Sequence, residues 1–279
     1  MILLADSGST KTDWVIIFDN QIVRKLSTEG INPFFHNTES IYARLENEFS
    51  EEEKSKVRKI YFYGAGCIKN TNSHIVENAL IQIFKYAEIE ANDDMLGATR
   101  ALFGNQPGIA CILGTGANSC LYTRGEIIDK VPTLGYILGD EGSGAYLGRK
   151  LINHYFKRKL PIPLAQAFEK QYNPIQVQIQ NAVYKEKNPN RFLASFTPFL
   201  KENSQNGYIK KFLFDSFSDF FESNIMQYSN YQTYDIGFIG SIAYHFSEIL
   251  NEVAENKKLK ISFILKKPID ALIAYHISN

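Results

Sequence analysis

"MILLADSGSTKTDW" (residues 1–14) runs five apolar residues into Asp6, then sets Ser7, Gly8, Ser9, Thr10 and Thr12 around Lys11. A second apolar run, "WVIIF" (14–18), begins almost at once, and a third, "IVRKLS" (22–27), follows the turn-prone Asp19-Asn20. Short β-type runs separated by turn residues predict a three-stranded meander. Its first connection is made of small hydroxylated residues. Backbone N–H groups exposed in a tight Gly/Ser turn can converge on a phosphate without bulky side chains in the way. Gly8 lets the backbone approach, Ser9, Thr10 and Thr12 add hydroxyls, and Lys11 adds charge. The alternative is an ordinary polar hairpin. The spacing excludes a Walker A loop.

A weak internal repeat strengthens the phosphate reading. From Gly108, "IACILGTGANSCLYTRGEIIDKV" again gives an apolar run, a Gly/Thr-rich connection (Gly114, Thr115, Gly116, Ala117, Asn118), a second run, a glycine turn and a third run. Two strand–loop–strand copies would present two phosphate-gripping loops to one nucleotide. The turn-type cluster Asn105-Gln106-Pro107-Gly108 marks the boundary between the halves.

Between the loops, "KIYFYGAG" predicts a buried strand, "HIVENALIQIFKY" an amphipathic helix, and residues 40–57 one solvated helix with Ile41, Leu45 and Phe49 on its apolar side. Strand and helix alternate, so the class is α/β. After residue 145 the pattern turns helical, with Phe and Tyr stripes that read as core. A last α/β unit follows, ending in a helix after Pro268.

Composition narrows the function. With 279 residues, 44% of them hydrophobic, the chain can bury a large core, and 30 basic against 30 acidic residues leave no electrostatic footprint for nucleic acid or an anionic membrane. Cys67, Cys111 and Cys120 are few and scattered, which fits a reducing compartment better than a disulfide framework. No apolar run approaches the ~20 residues that span a bilayer. The expectation is a cytoplasmic protein with a small-molecule partner. The five histidines are dispersed, with no metal-ligand spacing.

Acidic residues at three places in the chain carry candidate chemistry. Asp6, at a strand end, can hold Mg2+ through water, since magnesium takes few carboxylates and keeps several waters. In "ANDDMLGATRALFG", Asp93 and Asp94 are candidates to accept the proton of an attacking hydroxyl in phosphoryl transfer. Asn92 or Asp93 is also a good N-cap for the helix from Met95, which accounts for one acid and not both. In "GYILGDEGSGAYLGR", Asp140 and Glu141 form an acid pair before a helix: one can bind sugar hydroxyls while the other caps.

Asp6-Ser-Gly-Ser-Thr-Lys, Leu113-Gly-Thr-Gly-Ala-Asn, Leu138-Gly-Asp-Glu-Gly-Ser and the late Ile239-Gly-Ser-Ile together resemble the N-acetylglucosamine kinase branch of the BadF/BadG-type ATPase family, within the actin, hexokinase and heat-shock ATPase superfamily. The resemblance runs in order over nearly the whole chain. It implies two ribonuclease H-like α/β domains, 1–106 and 107–279, the second with a helical insertion, around an interdomain cleft for ATP, Mg2+ and substrate. A last helix at about 268–278 can pack back on the N-terminal domain. By position, Gly8 to Thr12 resemble the first phosphate loop and Gly114, Thr115 and Gly116 the second. Asp94, in Asp-Met-Leu-Gly, resembles the catalytic base; Asn32 in "GINPFF", Thr115, Asn118 and Asp140 resemble sugar-binding residues. Gly240 and Ser241 stand at the adenosine motif, with serine where a paired glycine is usual. Thr133 and Leu134 stand where the animal kinases have Gly-Trp. The implied activity is ATP-dependent phosphorylation of an amino sugar, N-acetylglucosamine, at the 6-position, by a possible homodimer. Two alternatives stay open: an activator ATPase for a dehydratase or reductase, with an iron-sulfur cluster on exposed cysteines, and a non-catalytic sugar sensor.

Overall fold

The computed structural model describes residues 1–8 and 10–278, which divide into two units: Met1–Gln106 with Arg124–Glu126 and the segment from Lys267, and Pro107–Thr123 with Ile127–Lys266.

The first unit is built on β1 (Ile2–Ser7), β2 (Lys11–Phe18), β3 (Gln21–Glu29), β4 (Lys59–Gly64) and β5 (Glu88–Asp93), in the sheet order β3-β2-β1-β4-β5. The first three strands form an antiparallel meander, and β4 and β5 add on the other side of β1 in parallel. Strand alternation sends successive side chains to opposite faces, so both faces of β1 need cover. Leu3, Ala5, Trp14, Ile16, Ile60 and Phe62 pack on one side with Ile41 and Leu45 of α1 (Thr38–Leu45) and Val76, Ala79, Leu80 and Ile83 of α3 (Ser73–Ile83). Between these helices lies α2 (Glu51–Lys56). On the opposite side Leu4, Val15, Ile17 and Tyr63 pack against Leu96 and Ala101 of α4 (Asp94–Phe103), and against Ile269, Leu272 and Ile273 near the chain's C-terminal end.

Residues 40–57 are two helices rather than the expected one. Ile41, Leu45 and Phe49 are all buried, as their spacing requires. The break comes from Ser50 and Glu53, which form a capping box that starts α2 afresh.

The second unit repeats the strand plan: β6 (Gly108–Leu113), β7 (Ala117–Thr123), β8 (Glu126–Asp129), β9 (Ile236–Ile239) and β10 (Ile261–Leu265) lie in the order β10-β9-β6-β7-β8. β6 and β7 are antiparallel, while β9 and β10 run parallel to β6. The short α5 (Gly135–Leu138) leads to α6 (Gly144–Phe156); α7 (Ile162–Tyr172), α8 (Gln176–Tyr184), α9 (Pro189–Ala194), α10 (Thr197–Glu202) and α11 (Gly207–Ser223) form the helical insertion. Phe168, Phe196, Phe199, Phe212, Phe217, Phe220 and Phe221 are buried there, so the aromatic stripes are core. Gly148 lets α6 touch α9: a Cβ on it would stand 1.8 Å from the Leu193 carbonyl oxygen. After β9 come α12 (Ser241–His245) and α13 (Ser247–Asn256), and after β10 the terminal α14 (Ile269–Ser278). No helix of the described residues is long and apolar enough to cross a membrane.

Within the first unit, α14 docks on the sheet and α4 through a polar cluster as well as through its apolar face. The His276 ring stacks on Tyr61 at 3.9 Å between centroids and its Nε2 lies 2.9 Å from the Tyr63 hydroxyl, which also accepts from Arg100. Arg100 in turn pairs with Glu90 at 3.0 Å, and Tyr275 faces its guanidinium. Burial, then the Arg100 charge, lowers the His276 pKa from 6.5 to about 4, against an opposing pull from Glu90. The unfolded chain therefore binds the extra proton between these values, and stability falls as pH drops from about 6.5 towards 4, by up to about 3 kcal/mol. Melting followed from pH 7.5 to 4.5 is expected to show this acid limb, and His276→Gln to flatten it; equal slopes for the two proteins would refute the assignment.

Candidate active site

In the first unit the connection from β1 to β2 is only Gly8 to Thr10, because β2 starts at Lys11. The Gly8 N–H donates to the Lys11 carbonyl at 3.0 Å, and the Thr10 carbonyl accepts from Gly30 N–H at 3.1 Å. Ser9, the second hydroxyl expected in the phosphate loop, lies outside the described residues. Thr12 is inside the fold: its hydroxyl lies 2.7 Å from that of buried Ser7 and donates to the Glu29 carbonyl at 3.2 Å. Its oxygen braces the hairpin, while Thr10 is exposed and Lys11 is half-exposed beside the loop.

Asp6, next to last in β1, pairs across the hairpin with Asp13 on β2. Burial, reinforced by the charge of Asp94 and then of Asp13, raises the Asp6 carboxyl to about 7, against the pull of Lys267 and Lys11. Asp13 goes the other way. Burial raises it, but hydrogen bonds from Lys11 (2.8 Å), Ser27 (2.6 Å) and Lys267 (3.0 Å) together outweigh burial and hold it at about 2.

The adjacent acids 93 and 94 have different surroundings. Asp93 is the N-cap of α4, its carboxylate accepting from Leu96 N–H at 2.8 Å. Asp94 occupies the first helical turn, within electrostatic reach of Asp6. Asn32 sits in the turn after β3, its side-chain oxygen accepting from Phe34 N–H at 2.9 Å. Gly66, with φ of +75°, makes room for it: a Cβ there would stand 2.5 Å from the Asn32 side-chain oxygen.

In the second unit the loop Gly114–Gly116 joins β6 to β7 and is gripped from behind. The N–H groups of Gly144 and Ala145 in the first turn of α6 donate to the carbonyls of Gly114 (2.8 Å) and Thr115 (3.0 Å). Asp140, in a left-handed conformation at φ of +58°, brings its carboxylate to the same loop. It accepts the Ala117 backbone N–H and lies so close to Gly116 that a Cβ there would stand 3.1 Å from its Oδ2. Burial, then the neighbouring Glu141 charge, raises its pKa, while the Ala117 bond and Arg149 oppose this. Neither acid of the pair caps α6, contrary to the sequence expectation. Ser143 does so, accepting from Tyr146 N–H at 3.1 Å. Asn118 turns its side-chain oxygen to its neighbour, accepting from Ser119 N–H at 2.9 Å. Gly240 closes the back of the loop: with φ of +124°, it lies where a Cβ would stand 2.2 Å from the Leu113 carbonyl oxygen. Ser241 follows as the exposed first residue of α12.

No family model matches the chain, and no curated protein does. Among solved structures, a Porphyromonas gingivalis protein named "Putative N-acetylglucosamine Kinase" is 41% identical, superposes with a TM-score of 0.95, and is matched over 100% of this chain and 99% of its own. The chain belongs to that protein's family, the sugar kinases of the actin-like ATPase fold. A Chromobacterium violaceum protein of the same name, 14% identical over 98% of each chain with a TM-score of 0.71, shares the fold. So does a Listeria monocytogenes protein named "putative N-acetylmannosamine kinase", 12% identical over 99% of this chain and 98% of its own, at a TM-score of 0.52.

In this sugar-kinase family chain three residues beside the site carried no signal in sequence. Asp13 stands just before the apolar run 14–18, and only the hairpin register sets it opposite Asp6. Gly66 read as the end of a strand. Lys267 reaches Asp13 across 254 positions of sequence, a contact no local pattern encodes. Cys67, Cys111 and Cys120 are all buried, and burial pushes the Cys67 thiol up to about 12, so none is a surface ligand of the kind the activator reading needed.

Proposed function

We propose that this chain transfers the γ-phosphoryl group of ATP to an amino sugar, N-acetylglucosamine, to give the 6-phosphate. The observation that carries the reading is the division of labour between the adjacent acids: Asp93 caps α4, while Asp94, in the first turn of α4, lies within electrostatic reach of Asp6. In the proposed reaction Asp94 takes the proton of the sugar hydroxyl as its oxygen bonds to the γ-phosphorus, and the bond to the β-phosphate oxygen breaks to release ADP. Gly8, Ser9, Thr10 and Lys11 of the first unit and Gly114, Thr115 and Gly116 of the second bind phosphate. Asn32, Asn118, Thr115 and Asp140 hold the sugar, and Gly240 and Ser241 meet the adenosine. Burial, reinforced by acidic neighbours, holds the Asp6 carboxyl high, an energetic cost that a hard cation would relieve, and its carboxylate oxygens fit Mg2+. Bound there, Mg2+ would neutralise phosphate charge. Asp6 would hold it, directly or through water.

The test is ADP release with Mg-ATP across N-acetylglucosamine, glucosamine, N-acetylmuramic acid, N-acetylmannosamine and glucose, with the product's phosphate position read by 31P NMR. N-acetylglucosamine is expected to stimulate release most strongly. Equal release with and without every sugar would overturn the reading.

A further inference from the structure

Asp13 is shared by two ammonium groups. Lys11 Nζ lies 2.8 Å from one carboxylate oxygen, where the Ser27 hydroxyl also donates, and Lys267 Nζ lies 3.0 Å from the other. Two ammonium groups therefore converge on one carboxylate, beside a hairpin whose partner strand carries Asp6. Lys11 already supplies one counter-charge to Asp13 at its Oδ1, while Lys267 bonds Oδ2. Lys267 is held in place from its own side: Ile269, Leu272 and Ile273 immediately after it are buried against Leu4, Val15 and Ile17. Its side chain is nevertheless about half exposed, at 47%, and an ammonium has three donors, of which Asp13 takes one. It also acts electrostatically on Asp6, as Lys11 does.

We infer that Lys267 is a second phosphate-binding lysine of the first unit, delivered by the C-terminal segment to the hairpin loop, where it meets the terminal phosphate of a bound nucleoside triphosphate. This rests on the kinase reading above. Phosphoryl transfer spreads charge over the terminal phosphate oxygens, and a pre-positioned cation interacts with them most strongly as the bond to the leaving group breaks. Asp13 parks the ammonium at the edge of the loop, and the segment's packing keeps it within reach.

The rival explanation is a clasp that only fastens α14 to β2. Calorimetric titration of the full chain with the Mg2+ complexes of ADP and of a non-hydrolysable ATP analogue separates the two. In Lys267→Met, affinity for the triphosphate is expected to fall about 10-fold to 100-fold, the scale of a lost charged hydrogen bond, with ADP affinity within about three-fold of wild type. Lys267→Gln should repeat this, and Lys267→Arg should restore most of the loss. Unchanged triphosphate affinity, or equal losses for both nucleotides with a lowered melting temperature, would overturn the inference and leave a clasp. A wild-type protein that discriminates the nucleotides but phosphorylates no sugar would sink the kinase reading alone, because the binding comparison needs no acceptor.

Discussion

Asp94→Asn is expected to lower turnover about 10²-fold to 10⁴-fold, the range that a positioned general base contributes, while nucleotide and sugar still bind. The substitution keeps the size and the helical position of the side chain, and Asp93 continues to cap α4, so the fold should be undisturbed. Removing the negative charge within electrostatic reach of Asp6 also relieves one of the causes that hold its carboxyl high. A kcat collapse with near-constant binding constants, measured by coupled ADP release and by titration, is the expected pattern. An unchanged rate would remove Asp94 from the chemistry; a rate lost together with all binding would make it a structural residue.

Asp6→Asn is expected to do two opposite things: abolish Mg2+-dependent turnover and stabilise the ligand-free protein. The Asp6 carboxyl titrates at about 7 in the folded chain against 3.8 in the reference state. The folded state therefore holds an extra proton between those values, and stability falls as pH rises through that window, by at most about 4 kcal/mol once the group is ionised. Asparagine carries no charge to bury, so the variant should gain melting temperature over wild type at pH 8 and much less near pH 4. Part of the gain is spent on hydrogen-bonding the new amide, so about 1–3 kcal/mol at pH 8 is the realistic scale. Thermal melts at both pH values without Mg2+ decide it; a variant less stable than wild type at pH 8 would contradict the electrostatic account of Asp6.

What could be read in sequence follows the reach of each signal. The hairpin at residues 1–18 and its echo from Gly108 showed themselves because strand alternation and glycine turns are local, and the two matching sheet orders follow from that repeat. The aromatic stripes of the helical insertion were legible as core for the same reason. The break between α1 and α2 was missed because helical spacing continues through Phe49, while the capping box that overrides it depends on a single turn. Ser143 was overlooked as the cap of α6 because two acids beside it seemed better suited; Asp140 instead reaches back to the Ala117 N–H. Asp13 and Lys267 depend on strand register and on a long-range return of the chain, which residue spacing does not encode.

The apolar face formed by Leu4, Val15 and Ile17 is covered by residues 269–273, more than 250 positions later in the chain. On a ribosome these strands would be made before the second unit, and, beyond what Leu96 and Ala101 of α4 supply, would wait for the rest of their cover until that unit had been synthesised. During that interval a sticky sheet face is open to chaperones or to other nascent chains. A fragment ending at Gln106 would lack the part of that cover supplied by Ile269, Leu272 and Ile273; a version joining residues 267–278 to it through a short linker would restore the missing layer.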